Sequence, residues 1–226
     1  MEQSVGISLG WNCGATMRGL ANKFRVRRLF GYTTSVFDIM VSNYPGLLLC
    51  LYEDFKYFTD PAFITLIDIS GEMIIHNTRY KFNFNHESPG HADLYIDEKW
   101  AEGNTHFTNN NYRNFIYRYN IRIQNFRNYL KSGIKINFLM TRPQREFSQL
   151  IECLRITYPN LNYKIIHLFY MEEDTLDFFI KCHREMGLLE SDAEIVSAKA
   201  LYEHPELQPV YSDPVLRILF PKLDID

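Results

Sequence analysis

The chain has 226 residues and a net charge of −3, and 46% of its residues are hydrophobic and 15% aromatic. This composition predicts a single folded domain over residues 1–226 and excludes wholesale disorder. The longest apolar runs are far too short to cross a bilayer, and the N-terminal residues carry no basic leader. We therefore expect a cytoplasmic protein without a membrane partner.

Charge is distributed unevenly along the chain. Residues 103–145 carry eight basic and no acidic side chains, whereas fifteen acids face seven bases from Glu146 onward. A basic segment beside an acidic one indicates either internal ion pairing, which is the commoner outcome, or a site for an anionic ligand.

The N-terminal segment predicts a strand, a tight turn and a helix. The apolar run at 5–9 favours the strand, and the turn at 10–12 leads directly to Cys13. Beyond it, apolar residues follow the i, i+3, i+4, i+7 spacing of a helix. Asn43 and Pro45 then predict the start of a second helix, which we expect to reach about residue 58.

The next segment is rich in β-forming residues. Residues 63–69 and 73–76 predict a hairpin that turns at Ser70 and Gly71, and alternation over 80–84 predicts a half-buried strand. Residues 88–111 are turn-rich and predict an irregular excursion.

The C-terminal half alternates between helix and strand patterns. The predicted elements are a helix at 112–131, a strand at 134–140, a helix at 145–158, a strand at 163–169, a helix at 175–186, and short helices at 196–202 and 213–219. This rhythm predicts an α/β fold in which a mostly parallel central sheet, built from the strands near Val5, Ile134 and Tyr163, is flanked by helices. Residues 63–85 should form a small antiparallel appendage at one edge.

Cys13 stands out because it lies where the first strand gives way to a helix. The unpaired N–H groups and the positive dipole end of a helix favour a thiolate, which suits a nucleophile. The alternative is a small buried side chain that closes the first βα turn. The other cysteines, at 50, 153 and 182, lie in apolar contexts typical of a core.

Sites in open parallel sheets gather beyond the carboxyl ends of the strands, which selects the turns at 10–13, 141–143 and 170–174. Arg142 at the second of these turns presents a guanidinium to a carboxylate or phosphate, or forms a salt bridge to the acidic C-terminal third. No metal-binding, Walker or G-x-G-x-x-G pattern occurs, so we expect no cofactor and no metal.

Several short motifs resemble a family of papain-like cysteine peptidases found in bacteria and large viruses. The matching segments are S-L-G-x-x-C at 8–13, F-D at 37–38, F-x-H at 84–86, the helix motif Y-x-x-R-I at 119–123, Ser132-Gly133 as its turn and Arg142 as the strand end. The family's Pro and Trp around the F-D pair are replaced here by Val36 and Ile39, and Asn125 replaces a second Arg of the helix.

This resemblance implies a viral or bacterial hydrolase in which Cys13 is the nucleophile, His86 its base and Asp38 an orienting carboxylate. A papain fold would place a helical lobe against an antiparallel barrel, whereas the periodicity here predicts a parallel sheet. The wider class is therefore thiol-dependent hydrolysis or acyl transfer, with a peptide, an ester or an anionic small molecule as substrate. Asn12, Arg122 and Arg142 are the candidate substrate-binding residues.

Two other functions stay open. A non-catalytic protein could hold an anionic partner through Arg118, Arg122 and Arg142. Nucleic-acid binding by the segment 112–135 is less favoured, because its aromatic residues fall on one helical stripe, which is more often core than a stacking platform.

Overall fold

The structure, a computed structural model, describes residues 4–10, 13–25, 31–92, 100–141, 148–169 and 193–197. Its elements in chain order are β1 (Ser4–Ser8), α1 (Gly14–Ala21), α2 (Tyr44–Tyr52), β2 (Ile64–Ile69), β3 (Glu72–Asn77), β4 (Phe82–Asn83), α3 (Asn109–Lys131), β5 (Lys135–Met140), α4 (Ser148–Thr157), β6 (Tyr163–Phe169) and β7 (Ala193–Ser197). Short 3₁₀ turns cover Pro61–Phe63, Asn85–Glu87 and Gly103–Thr105.

The central sheet is parallel, with the strand order β1-β5-β6-β7. Side chains alternate across β5: Ile136 and Phe138 enter the main core, while Leu139 packs on the opposite face in a smaller cluster with Ala15 of α1. On the main-core side, Phe126 of α3 lies 6.4 Å from Phe138 between ring centroids. Helices thus cover both faces, and the predicted α/β class with a parallel central sheet is confirmed.

The antiparallel appendage is also confirmed, as a separate three-stranded sheet in the order β2-β3-β4. Ser70 and Gly71 make the hairpin turn, both with positive φ. Such a pair matches the right-handed twist of the two strands. Of the strand expected at 80–84, the assigned strand β4 covers Phe82 and Asn83, and Phe84 N–H adds a hydrogen bond to the Ile75 carbonyl of β3.

The first turns of α2 and α3 differ in how regular their backbone is. The Asn43 side chain accepts the Gly46 N–H at 2.8 Å and caps α2, as predicted, but α2 ends at Tyr52, short of residue 58. In α3, Asn110, Asn111 and Tyr112 have left-handed dihedrals, so the regular helix follows them.

The prediction of a short helix from residue 196 is wrong for residues 196 and 197, because Ala193–Ser197 pairs with β6 as a parallel strand. The predicted helices at 175–186 and 213–219 lie outside the described residues. Within the described ranges, no helix is both long and apolar enough to cross a membrane.

An aromatic core joins α3 to the antiparallel sheet and the segment before α2. Its fully buried rings include Phe37, Phe58, Phe82, Phe84, Phe115, Tyr119 and Phe126. Most neighbouring rings meet tilted or edge to face, for example Phe84 against Phe115 at 4.7 Å between centroids. Such pairs add stability beyond the area that they bury. This packing fixes the segments that lead into the site described next.

Candidate active site

Cys13 lies at the carboxyl end of β1, where the chain turns into α1. It is the N-cap residue of that helix, and its carbonyl accepts the Met17 N–H at 3.1 Å. Its side chain is half-buried and forms no disulfide. The preceding turn is held by two hydrogen bonds, from Leu9 N–H to the Leu139 carbonyl and from Gly10 N–H to Ser8 Oγ. The predicted strand and helix on either side of Cys13 are present, and residues 11–12 of the predicted turn lie outside the described residues.

His86 lies in the 3₁₀ turn Asn85–Glu87, just beyond β4 of the antiparallel sheet. Two hydrogen bonds anchor this turn: Phe84 N–H donates to the Ile75 carbonyl at 2.9 Å, and Glu87 N–H donates to the Phe84 carbonyl at 3.2 Å. The imidazole is therefore carried by backbone that belongs to the sheet rather than by a free loop.

One cavity of about 230 Å³ brings these two distant segments together. It is lined by Cys13, Ile39, Met40, Val41, Asn85, His86 and His91. Three consecutive apolar residues form one part of the lining, and a thiol, an amide and two imidazoles form the polar part. The cavity lies beyond the carboxyl end of a parallel strand, as expected for a site in such a sheet.

A buried charge cluster lies behind His86. The Glu87 carboxylate is fully buried, and it accepts hydrogen bonds from Arg122 Nη1 at 2.9 Å and from the Tyr119 hydroxyl at 3.0 Å. Arg118 Nε is 3.3 Å from the same carboxylate, close enough for an ion pair but without hydrogen-bond alignment. Burial raises the pKa of Tyr119 well above its ordinary value, and the nearby Glu87 carboxylate raises it further.

These contacts bear on the predicted anion site. Arg118 and Arg122, proposed to hold an anionic partner or substrate, are 4% and 0% exposed and face Glu87. An external anion would have to replace a buried carboxylate to reach them, so the geometry favours internal pairing. Arg127 likewise pairs with Asp54 at 2.9 Å. Among the described residues, the acids of these pairs, Glu87 and Asp54, precede the basic segment in the chain.

Asp38 is the centre of a second buried cluster. Its Oδ1 lies 2.8 Å from Arg25 Nη1, and its Oδ2 accepts hydrogen bonds from Ser35 N–H at 2.7 Å and from the Tyr32 hydroxyl at 3.0 Å. Thr16 of α1 donates to the Asp38 carbonyl at 2.7 Å. Through these contacts, Asp38 links the segment that carries Ile39 to α1, the helix that follows Cys13. Asp38 therefore has a positioning role. These contacts lend no support to Asp38 as the group that orients His86.

The candidate substrate-binding residues Asn12 and Arg142 lie outside the described residues. His91 was not singled out by the sequence, yet it lines the cavity and its Nε2 lies 2.7 Å from Glu72 Oε2. The chain contains seven histidines, and none of their spacings marks His91. The apolar lining residues Ile39, Met40 and Val41 directly follow the F-D pair at 37–38, and this position is a weak sequence signal for them.

The three described cysteines differ in their surroundings. Burial raises the pKa of the Cys50 thiol well above its ordinary value, and burial also raises that of Cys153. Both thiols lie in the core, as predicted from their apolar contexts. Within the described part of the chain, no group of three or more His, Cys, Asp or Glu side chains is placed to hold a metal ion.

Comparisons with known proteins identify no relative of this chain. No family model matches the chain, and no curated protein or solved structure is significantly similar to it.

Proposed function

We propose that this protein is a thiol-dependent hydrolase or acyltransferase with Cys13 as its nucleophile and His86 as its base. The observation that carries the proposal is that both residues line one cavity, although one follows a strand of the parallel sheet and the other follows a strand of the antiparallel sheet. A thiol needs an adjacent base to become a nucleophile at neutral pH, and an imidazole is the usual one. The resemblance to papain-like peptidases is the second support, because it names the same two residues independently of the cavity.

The chemistry follows from these groups. His86 takes the thiol proton, and the Cys13 sulfur attacks a carbonyl carbon to form a tetrahedral intermediate. The backbone N–H groups of Cys13 and Gly14, at the start of α1, are the candidate donors to its oxyanion. The imidazolium then protonates the leaving group, and an acyl-thioester remains on Cys13.

The cavity also limits the substrate. A volume of about 230 Å³ is smaller than that of a pocket for a drug-sized ligand, roughly 300–1,000 Å³. Ile39, Met40 and Val41 provide apolar surface, and neither carboxylates nor arginines occur among the lining residues that the structure describes. A small, uncharged acyl group, presented as an ester or as part of a peptide, fits this lining best.

Thiol labelling tests the proposal. Iodoacetamide should alkylate Cys13 faster than the other cysteines, and the reaction should persist well below pH 8.5, about the ordinary thiol pKa. Cys50 and Cys153 are internal references, since their thiols are buried and have raised pKa values. Peptide mapping assigns each modified site.

The matched variants are His86→Ala and His76→Ala. His76 is a half-buried histidine of β3 that hydrogen-bonds to Asn83 and does not line the cavity. His86→Ala should slow Cys13 labelling near neutral pH, and His76→Ala should leave it unchanged. Equal labelling of wild type and His86→Ala at every pH would contradict the assignment of His86 as the base.

A further inference from the structure

The cavity contains a second histidine with a carboxylate behind it. His91 Nε2 and Glu72 Oε2 are 2.7 Å apart, which is a short hydrogen bond. A carboxylate only accepts hydrogen bonds, so the ring proton of this contact belongs to Nε2. Nδ1 is then the nitrogen that exchanges protons, and it has no hydrogen-bond partner among the described residues.

The backbone holds Glu72 and His91 in register with each other. Ser88 Oγ accepts the Ile75 N–H of β3 at 2.8 Å and donates to the Phe84 carbonyl at 2.7 Å. The Ser88 carbonyl in turn accepts the His91 N–H at 2.9 Å. One buried serine therefore fastens the loop of His91 to the strand that begins with Glu72.

We propose that His91, oriented by Glu72, is the general base that resolves the acyl-enzyme. This inference rests on the proposed function, because it requires an acyl group on Cys13. An acylated sulfur has no proton to share, so the contact between thiol and imidazole that serves the first half-reaction no longer exists in the acyl-enzyme. His91 is held by Glu72 instead and stays in position for the second half-reaction.

His91 Nδ1 takes a proton from a water molecule, or from the hydroxyl or amine of another acyl acceptor, as the oxygen or nitrogen attacks the thioester carbon. The tetrahedral intermediate collapses, the carbon–sulfur bond breaks, and the Nδ1 proton passes to the Cys13 sulfur. The products are the free thiol and the transferred acyl group. Glu72 keeps the imidazolium in place and is a positioning residue.

The full-length protein and p-nitrophenyl acetate separate the two half-reactions. Release of p-nitrophenolate reports acetylation, and intact-mass spectrometry with peptide mapping reports acetyl-Cys13. The variants are His91→Ala, Glu72→Gln and the control His76→Ala. Glu72→Gln is a mild change, because the carboxylate is 56% exposed and its loss leaves no buried charge behind.

We expect His91→Ala to become acetylated and to lose the acetyl group about 100-fold more slowly than wild type, which is at the low end for loss of a general base. Glu72→Gln should slow the same step by about 10-fold or more, since the amide carries no charge to stabilise the imidazolium and its NH2 group can turn toward the ring and favour the other tautomer. Hydroxylamine, a strong nucleophile that needs no base, should release the acetyl group from all variants at similar rates. His76→Ala should behave as wild type.

Two results would overturn the inference while the proposed function stands: deacetylation of both variants at the wild-type rate, or loss of the initial burst in folded His91→Ala. The second would assign His91 to the thiol itself. If wild-type Cys13 is never acetylated, the proposed function and this inference both fail.

Discussion

Replacing Glu87 by glutamine removes the negative charge that Arg122 and Arg118 face in the cluster behind His86. Arg122 and Arg118 remain buried at 0% and 4% exposure, and arginine does not shed its proton in proteins. Glutamine keeps the shape and one acceptor oxygen, so the effect is mainly the loss of a carboxylate charge beside two buried guanidinium groups. Breaking a buried pair of this kind costs about 3–5 kcal/mol of unfolding free energy. That is a large share of the roughly 5–15 kcal/mol that stabilises a typical domain.

The assay is urea denaturation followed by circular dichroism, with Asp54→Asn as the matched control. Asp54 pairs with Arg127 at 2.9 Å, but its side chain is 61% exposed. Its φ of 45° is a conformation that asparagine adopts readily. The same carboxylate-to-amide change should therefore cost only about 0–1 kcal/mol there. If the two variants lose equal stability, Glu87 is not the buried counter-ion of these arginines and the reasoning is refuted.

Three further predictions concern the segments around the cavity. Asp38→Asn leaves Arg25 buried without a counter-ion and should cost about 3–5 kcal/mol in the same denaturation assay; a loss under 1 kcal/mol would contradict the pairing. Because burial raises the folded-state pKa of Tyr119, the unfolded chain loses that proton first as pH rises past 10. Stability should then fall by up to about 1.4 kcal/mol per pH unit, and Tyr119→Phe should flatten this slope; an unchanged slope would speak against it. Gly10→Ala should slow Cys13 alkylation without unfolding the protein, since φ there is 89° and a Cβ atom would lie 2.2 Å from Ser42 Oγ; unaltered labelling would show that this turn does not position the thiol.

Local patterns predict those strands whose own residues carry a β signal. The run around Ile136 and Phe138 is apolar and β-branched or aromatic, and Ser70-Gly71 supplies the positive φ values of a tight hairpin turn. The strand at 193–197 was missed because a five-residue segment with one β-branched pair does not outweigh neighbouring helical spacing. Pairing with β6 decides its conformation, and that contact is not written in the local sequence.

The site was predictable only in part, for a similar reason. Cys13 is marked by its position between a strand and a helix, and His86 was named by resemblance rather than by spacing. The partners of Arg122 could not be read from the sequence, because Glu87 comes from another element and reaches it only through tertiary packing. The contact between His91 and Glu72 depends on the same packing.

The pairing of β1 with β5 has a consequence for the order of assembly during folding. Ser4 is opposite Lys135, so the first strand finds its partner only after the antiparallel sheet and α3 have been synthesised. Contacts so distant in sequence close slowly, whereas hairpins and helices form from near neighbours. We therefore expect the thiol segment to dock late, onto a scaffold that already holds both cavity histidines. Pulsed hydrogen exchange during refolding should show amide protection in β2 and β3 before β1; simultaneous protection would contradict this order. In the nascent chain, the segment that leads into Cys13 would then dock only once β5 has been synthesised.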